Sequence, residues 1–231
     1  MIRFLIKRLP AILLISTGFA LSACTVSGHI VSVDEDSFIA SNNKQNAMQV
    51  FIRNASDHRQ FLNQEEAKDL SAPSIDQEKA QKITIGNYTN TPADPSAKRL
   101  ILSDEEKLSE IITKVTNKAL SNRGWNVLSD EDQISDKTNI LDVDINKFWI
   151  WTESDENKIT LKCEISVNLI NDPLRNVPLI ISTLYTKDFI SIKGIEFDKE
   201  VFNALEMFRA ELENKISEHP KIDVHDKDTQ V

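Results

Sequence analysis

The alternation of apolar and polar positions is strongest in the C-terminal half of the chain. Three segments, 139–152, 158–170 and 177–192, carry apolar residues at alternate positions, which is typical of strands with one buried face. Because the links between them are short, the segments are predicted to form an antiparallel meander. Around Asn146 and Lys147 the apolar positions change parity. This change indicates a bulge, or a strand end that is buried on both faces.

Helical spacing replaces this alternation in two segments. Apolar residues recur three or four positions apart between 108 and 119, and again over 198–217. Before the first segment, Ser103 and Glu106 fit a capping box, in which the Glu106 side chain would bond back to the Ser103 amide. After it, Gly124 supplies a residue that can end the helix in a left-handed conformation.

The N-terminal half predicts shorter strands at 47–53, 82–86 and 125–128, the first of them broken by the polar residues 54–57. A long irregular stretch, 58–82, follows the first strand. The whole pattern predicts an α/β (α+β) domain with a mixed sheet, a C-terminal antiparallel meander and two main helices packed on one face.

The first residues of the chain form a segment of a different kind. Basic residues at 3, 7 and 8 precede an apolar run that ends in Leu-Ser-Ala-Cys at 21–24. This segment resembles a bacterial lipoprotein signal, in which residues 1–23 are removed and Cys24 receives acyl chains such as palmitate. The alternatives are an ordinary secretory signal or a membrane-spanning helix, with Cys24 incidental. The apolar run is shorter than the roughly 20 residues that span a bilayer.

The remaining chain is predicted to consist of a tether at 24–44, one domain at 45–218 and a disordered tail at 219–231. Within the tether, the apolar patch 30–33 is a candidate edge strand. The predicted signal carries three basic and no acidic residues, so its removal takes the net charge from −9 to −12. This charge opposes nucleic-acid binding, and membrane attachment is therefore expected through the lipid on Cys24.

Only two cysteines are present. With Cys24 lipidated, Cys163 has no partner for an intramolecular disulfide. It lies on the apolar face of a predicted strand, so we expect a buried thiol rather than a reactive one.

A polar group at the end of the first strand is the first candidate site. Asp57 could orient His58 as an acid or base, or it could cap a turn while Arg59 pairs with a nearby acid. Together with Phe61, these residues begin the long stretch that we predict to be the contact region with a partner.

Aromatic residues on the first meander strand are the second candidate. Phe148, Trp149 and Trp151 could form an exposed platform for a ligand, or they could belong to the core. Asp142 and Asp144 alternate on the same strand, which is more typical of a solvated face than of a calcium site. No metal or cofactor is predicted.

Four stretches resemble a family of bacterial lipoproteins: VFIRNASDHRQF at 50–61, APSI at 72–75, NRGWNV at 122–127 and LDVDINKFW at 141–149. In this order they are similar to the YajG-like uncharacterised lipoproteins. The resemblance implies an α/β domain anchored in the outer membrane, with no established enzymatic activity. Thr25, in place of Asp after the lipidated cysteine, resembles the pattern of outer-membrane sorting.

Together these observations lead us to expect a non-enzymatic lipoprotein on the periplasmic face of the outer membrane. It would act as a scaffold or accessory subunit of a cell-envelope assembly, with another envelope protein as its partner. The alternative is a periplasmic module that binds a lipid or another small apolar ligand.

Overall fold

The computed structural model describes residues 28–40, 48–61, 82–89, 97–103, 106–155, 157–171 and 178–218. Within them, eight strands form one mixed sheet, and two main helices pack against it. The strands are β1 Gly28–Val31, β2 Gln49–Asp57, β3 Thr84–Tyr88, β4 Lys98–Leu102, β5 Asn126–Val127, β6 Asn139–Ser154, β7 Ile159–Asn171 and β8 Leu179–Phe189; the helices are α1 Leu108–Asn122 and α2 Phe197–Glu218. The predicted fold class is confirmed, including the antiparallel meander of β6, β7 and β8.

The long strand β6 holds the sheet together. One of its edges pairs with β7, which in turn pairs with β8. Its other edge is shared by two strands, because β2 runs parallel to its first half and β3 runs parallel to it at Ile150 and Trp151. β5 extends the sheet beyond β2, while β4 and β1 extend it beyond β3. Two groups of strands therefore meet at the middle of β6.

A bulge in β6 explains the change of parity in the sequence. The pairing with β7 shifts register between Ile145 and Lys147. Before the bulge, Ile145 joins the core beneath the helices, and after it Phe148 and Ile150 do so. Since neighbouring residues of a strand point to opposite faces, Trp149 and Trp151 lie on the face away from the helices.

Helix α1 begins later than the capping box predicts. Its first residue is Leu108, and Glu106 instead accepts hydrogen bonds from the Val33 amide at 2.8 Å and the Ser32 hydroxyl at 3.1 Å. The capping-box prediction is wrong because the Glu106 carboxylate binds the segment after β1. The helix does end as predicted, since Gly124 has a φ of 94°.

The first predicted strand is longer than its sequence pattern indicates. β2 continues to Asp57 through a register shift between Ile52 and Asn54, so the predicted break at 54–57 is wrong. Polar residues are tolerated there because much of this half of β2 is only partly buried.

Part of the predicted tether belongs to the domain. β1 pairs in parallel with β4, a strand that the sequence analysis missed. Val31 and Phe38 are buried, with exposed fractions of 0% and 1%. Residues 28–40 are therefore part of the domain, and the apolar patch docks as an edge strand. The predicted signal 1–23, Cys24, residues 62–81 of the predicted contact stretch and the tail 219–231 lie outside the described residues. Among the described residues, no helix combines the length and apolar character needed to cross a bilayer.

Candidate functional site

Both groups of candidate residues come together at the middle of β6. β2 leaves the β6 edge at the His58 amide, which donates to the Ile145 carbonyl at 2.9 Å. β3 pairs with the same edge only from Ile150 onward. Between these points the β6 edge faces neither strand, and the side chain of Arg59 lies there.

Arg59 supplies the hydrogen-bond donors that this gap in the sheet lacks. Its side chain is fully buried. Nη1 donates to the Thr84 carbonyl at 2.8 Å and to the Phe148 carbonyl at 3.5 Å. The guanidinium thus connects the first residue of β3 to β6. Buried carbonyls need such donors, because leaving them unsatisfied is unfavourable.

Asp57 neutralises the buried guanidinium. Its Oδ1 accepts from Nε of Arg59 at 2.9 Å and its Oδ2 accepts from Nη2 at 2.8 Å, a bidentate geometry. Oδ1 also accepts from the Arg59 backbone amide at 3.1 Å, which closes the turn after β2. Asp57 therefore both caps the turn and provides the acid that pairs with Arg59.

The aromatic candidate residues are buried rather than exposed. Trp149 lies 4.9 Å from the Arg59 guanidinium carbon, and Phe61 lies 5.4 Å from it. The two rings meet edge to face at 5.0 Å. The exposed fractions of Phe148, Trp149 and Trp151 are 0%, 4% and 8%. In the described structure these residues do not form the exposed platform that the sequence allowed.

His58 contacts the carboxylate of Asp144 and not that of its sequence neighbour Asp57. Its imidazole is 58% exposed, and Nε2 lies 3.3 Å from Oδ1 of Asp144. Asp57 is occupied by Arg59. The nearby Ser56 hydroxyl accepts a hydrogen bond from the Asn54 amide at 2.7 Å. His58 thus takes part in a surface ion pair when it is protonated, and no contact of a nucleophile to its ring is present among the described residues.

The carboxylates that alternate on β6 face basic side chains. Asp142 accepts from Nε of Arg53 at 3.0 Å, and Asp144 faces His58. Among the residues that the structure describes, no group of three or more metal-binding side chains occurs.

A buried carboxylate on α2, which the sequence analysis did not single out, forms a second network. Glu200 is 3% exposed and accepts from the Tyr185 hydroxyl at 2.5 Å and from Lys187 at 2.8 Å. Burial acts to raise the pKa of Glu200, but hydrogen bonds from Lys187, Tyr185 and Asn203 outweigh burial and lower the pKa. Burial, and then the Glu200 hydrogen bond, raise the pKa of Tyr185 to about 12. The network fastens α2 to β8.

The thiol of Cys163 is buried, as predicted, with an exposed fraction of 1%. Burial strongly raises its pKa, so the reactive thiolate is disfavoured at neutral pH.

Strand β8 exposes apolar side chains at an edge of the described sheet. β8 pairs with β7 from Leu179 to Phe189 without a register shift, and no described strand pairs with its other edge. Ile180 and Leu184 lie on the face away from the helices and are 58% and 54% exposed.

The comparisons with known proteins show no family for this chain. No family model matches the chain, and no curated protein matches its sequence significantly. Among solved structures, protein XCC0632 from Xanthomonas campestris, of family DUF330, matches with 11% identity and a TM-score of 0.39, over 84% of this chain and 95% of that one. An uncharacterised protein matches with 11% identity and a TM-score of 0.35, over 82% of this chain and 99% of that one. Likeness at this level carries no argument about function.

Proposed function

We propose that the protein is a non-enzymatic lipoprotein of the YajG-like kind, held by lipid on Cys24 at the periplasmic face of the outer membrane. There it serves as a scaffold or accessory subunit of a cell-envelope assembly. The observation that carries this proposal is the unprotected apolar edge of β8, which can accept a strand from a partner protein.

Natural sheets usually protect an exposed edge with prolines, charges or bulges. The register of β8 is uninterrupted, and it contains no proline. Its two charged residues lie at its C-terminal end, where Lys187 pairs with Glu200 at 2.8 Å and Asp188 pairs with Lys158 at 2.9 Å. The outer edge of residues 179–186 therefore has none of these protective features. The partner expected there is an extended segment of another envelope protein, with apolar side chains that cover Ile180 and Leu184.

The groups that could have supported an enzyme have structural partners. Asp57 and Arg59 are bound to each other, and Arg59 also closes the gap beside β6. Glu200 fastens α2 to β8. These contacts favour a binding protein over an enzyme.

The test compares Leu184→Lys with Ile39→Lys, which also replaces an exposed apolar residue but lies outside the sheet. Proteins cross-linked to each variant in cells are purified and identified, and the cross-linked segment of the partner is mapped. We expect one recurrent envelope protein, joined through an extended segment, whose recovery falls about tenfold in Leu184→Lys because a charge must be buried. Equal recovery with both variants, or capture of a second copy of this chain alone, would contradict the proposal.

The alternative function, binding of an apolar ligand near Phe148, Trp149 and Trp151, stays a prediction. Our proposal expects that lipid added to the purified protein leaves the tryptophan emission spectrum unchanged, because Trp149 is already covered by Arg59 and Phe61. A saturable shift of the emission maximum would instead favour the ligand-binding function.

A further inference from the structure

A diagonal row of apolar side chains crosses the open face of the sheet, the face away from the helices. Its members lie on four adjacent strands: Phe51 on β2, Ile140 on β6, Ile170 on β7 and Ile180 on β8. Phe51, Ile140 and Ile170 are half-buried, and Ile180 is 58% exposed. We call this row the apolar stripe. The proposed function uses only its last member, Ile180.

The strand register makes the apolar stripe continuous. Phe51 lies directly opposite Ile140. Ile170 pairs with Asp142, two residues after Ile140 on β6, and is therefore a diagonal neighbour of Ile140. Ile180 stands in the same diagonal relation to Ile170. On paired strands such neighbours lie about 5–8 Å apart. Three strand spacings across the sheet and four residues along it give the stripe a length of about 20 Å.

An acidic loop, residues 130–136, lies at the Phe51 end of the apolar stripe. It contains four exposed acidic residues: Asp130, Glu131, Asp132 and Asp136. The Ser135 hydroxyl donates to Oε1 of Gln49 at 3.2 Å, which fixes the loop beside the residue two positions before Phe51 on the same face of β2. None of the four carboxylates forms an ion pair with a described residue, whereas Glu164 on the open face pairs with Lys147 at 2.8 Å. The loop therefore places uncompensated negative charge next to an apolar surface.

These two features specify the chemistry of a partner. The face of a sheet offers no free backbone groups, so a segment bound there must satisfy its own backbone hydrogen bonds, as a helix does. A helix with apolar residues three and four positions apart matches a stripe of about 20 Å over roughly 13 residues, at about 1.5 Å per residue. Lysine or arginine residues at the end that reaches the acidic loop compensate its charge.

A protein suits this surface better than a lipid bilayer. The uncompensated carboxylates of the acidic loop repel anionic headgroups. The register also places Gly28 level with Trp151, and Ile140 lies eleven residues before Trp151, about 35 Å along β6. If Cys24 carries lipid, as the proposed function requires, the apolar stripe lies at the end of the strands that is far from the membrane.

We propose that the apolar stripe binds a basic amphipathic helix of another protein, with the basic residues of that helix against the acidic loop. Binding there is independent of strand addition at β8, because the helix covers a face of the sheet rather than its edge. One partner can make both contacts, since Ile180 belongs to the stripe and to β8.

The test replaces Phe51 with a photo-activated phenylalanine analogue in cells that make the full chain. Adducts are purified, and the cross-linked segment of the partner is identified by mass spectrometry. We expect one recurrent segment with helical apolar spacing and several lysines or arginines. Its recovery should fall about tenfold in Ile170→Lys, which buries a charge beneath the helix, and about threefold in Glu131→Gln with Asp132→Asn, which weakens the attraction.

Matched controls separate these effects from general changes in charge. Thr160→Lys places the same charge on the same face of β7, at the other end of the strand. Glu196→Gln with Glu218→Gln removes two exposed carboxylates near the ends of α2. Both controls should keep the original recovery. Glu131→Gln with Asp132→Asn changes only exposed loop residues, so it tests the docking surface even if Ile170→Lys does not fold.

Several outcomes would overturn this proposal. Phospholipid at position 51, or a second copy of this chain there, would replace the expected partner. A cross-linked segment without basic residues, or recovery that neutralising the acidic loop leaves unchanged, would remove the role of the loop. No adduct at position 51, while a probe at position 184 still joins a protein, would remove the apolar stripe as a docking surface and leave the proposed function intact. Absence of protein adducts at both positions would contradict both.

Discussion

At the scale of single residues, a buried arginine joins the two halves of the sheet. Arg59 binds Asp57 through two parallel hydrogen bonds and reaches the carbonyls of Thr84 and Phe148. A charge that is removed from water is stable only when it is paired and hydrogen-bonded, and Arg59 meets both conditions.

Arg59→Met should lower the free energy of unfolding by about 3–5 kcal/mol, because it leaves the Asp57 carboxylate without its counter-ion and removes the hydrogen bonds that Arg59 donates to the Thr84 and Phe148 carbonyls. Arg59→Lys should recover only part of this loss, since an ammonium cannot reproduce the bidentate pair. Urea denaturation measures both. As a control, Arg53→Met breaks a pair with Asp142 in which the arginine side chain is 37% exposed, and it should cost about 0–1 kcal/mol. Equal losses at positions 53 and 59 would contradict this account.

The ionisation of Glu200 makes the stability of the folded protein depend on pH. Its folded-state pKa lies below the ordinary value of 4.5, so its contribution is fully present above pH 4.5 and is lost as the pH falls through the folded-state pKa. Glu200→Gln should lower the free energy of unfolding by about 1–3 kcal/mol at pH 7, and this difference should shrink below pH 4.5. Urea denaturation of both proteins from pH 7 to pH 3 measures it. A difference that is constant over this range would show that the charge of Glu200 does not matter.

The buried thiol gives a simple chemical prediction. Cys163 should not react with a thiol reagent in the folded protein at pH 8, and it should react fully once denaturant is added, because burial disfavours the thiolate. If Cys24 carries lipid on its sulfur, the denatured protein should show one reactive thiol per chain. Rapid labelling under native conditions would contradict the burial of Cys163.

At the scale of secondary-structure elements, the pairing of β3 with β6 depends on a close approach. A Cβ atom on Gly86 would overlap the backbone of Ile150, lying 2.7 Å from its carbonyl carbon. Gly86 pairs with Ile150 in the register of the two strands. A glycine is required where two backbones come this close.

Gly86→Ala should therefore lower the free energy of unfolding by about 3 kcal/mol, because β3 must move away from β6. Gly194→Ala is the matched control, because a Cβ atom there meets nothing within 4 Å. The free energy of unfolding of this variant should be nearly unchanged. Thermal unfolding of the two variants compares them. A similar loss in both variants would mean that the close approach does not limit the sheet.

The sequence could predict the elements whose pattern is long and regular. The alternation from Ile159 to Leu169 and the helical spacing after Leu108 each have enough repeats to identify a strand and a helix. The parity change near Asn146 also located the bulge. β1 and β4 are four and five residues long, too short for a periodic signal, and their pairing joins residues about 70 positions apart.

The candidate sites were harder to predict, because contacts between distant segments decide their roles. Sequence could identify Asp57, His58 and Arg59 as a polar group. Only the fold shows that Arg59 enters the gap beside β6 and that Asp144 faces His58. The buried role of Glu200 likewise depends on Tyr185 and Lys187, which belong to another element.

At the scale of the whole molecule, the two ends of the sheet differ in their distance from the proposed anchor. The β1 end begins at Gly28, four residues after Cys24. The β8 end exposes Ile180 and Leu184. A domain that begins close to its proposed anchor and exposes an apolar edge at the other end of the sheet suits an anchored subunit that recruits another protein.

The most direct test of this account places a photo-activated cross-linking residue at position 184, in cells that make the lipidated protein. The account predicts that position 184 joins a recurrent envelope protein. Phospholipid at position 184, or no protein adduct there while the protein is acylated and folded, would contradict it.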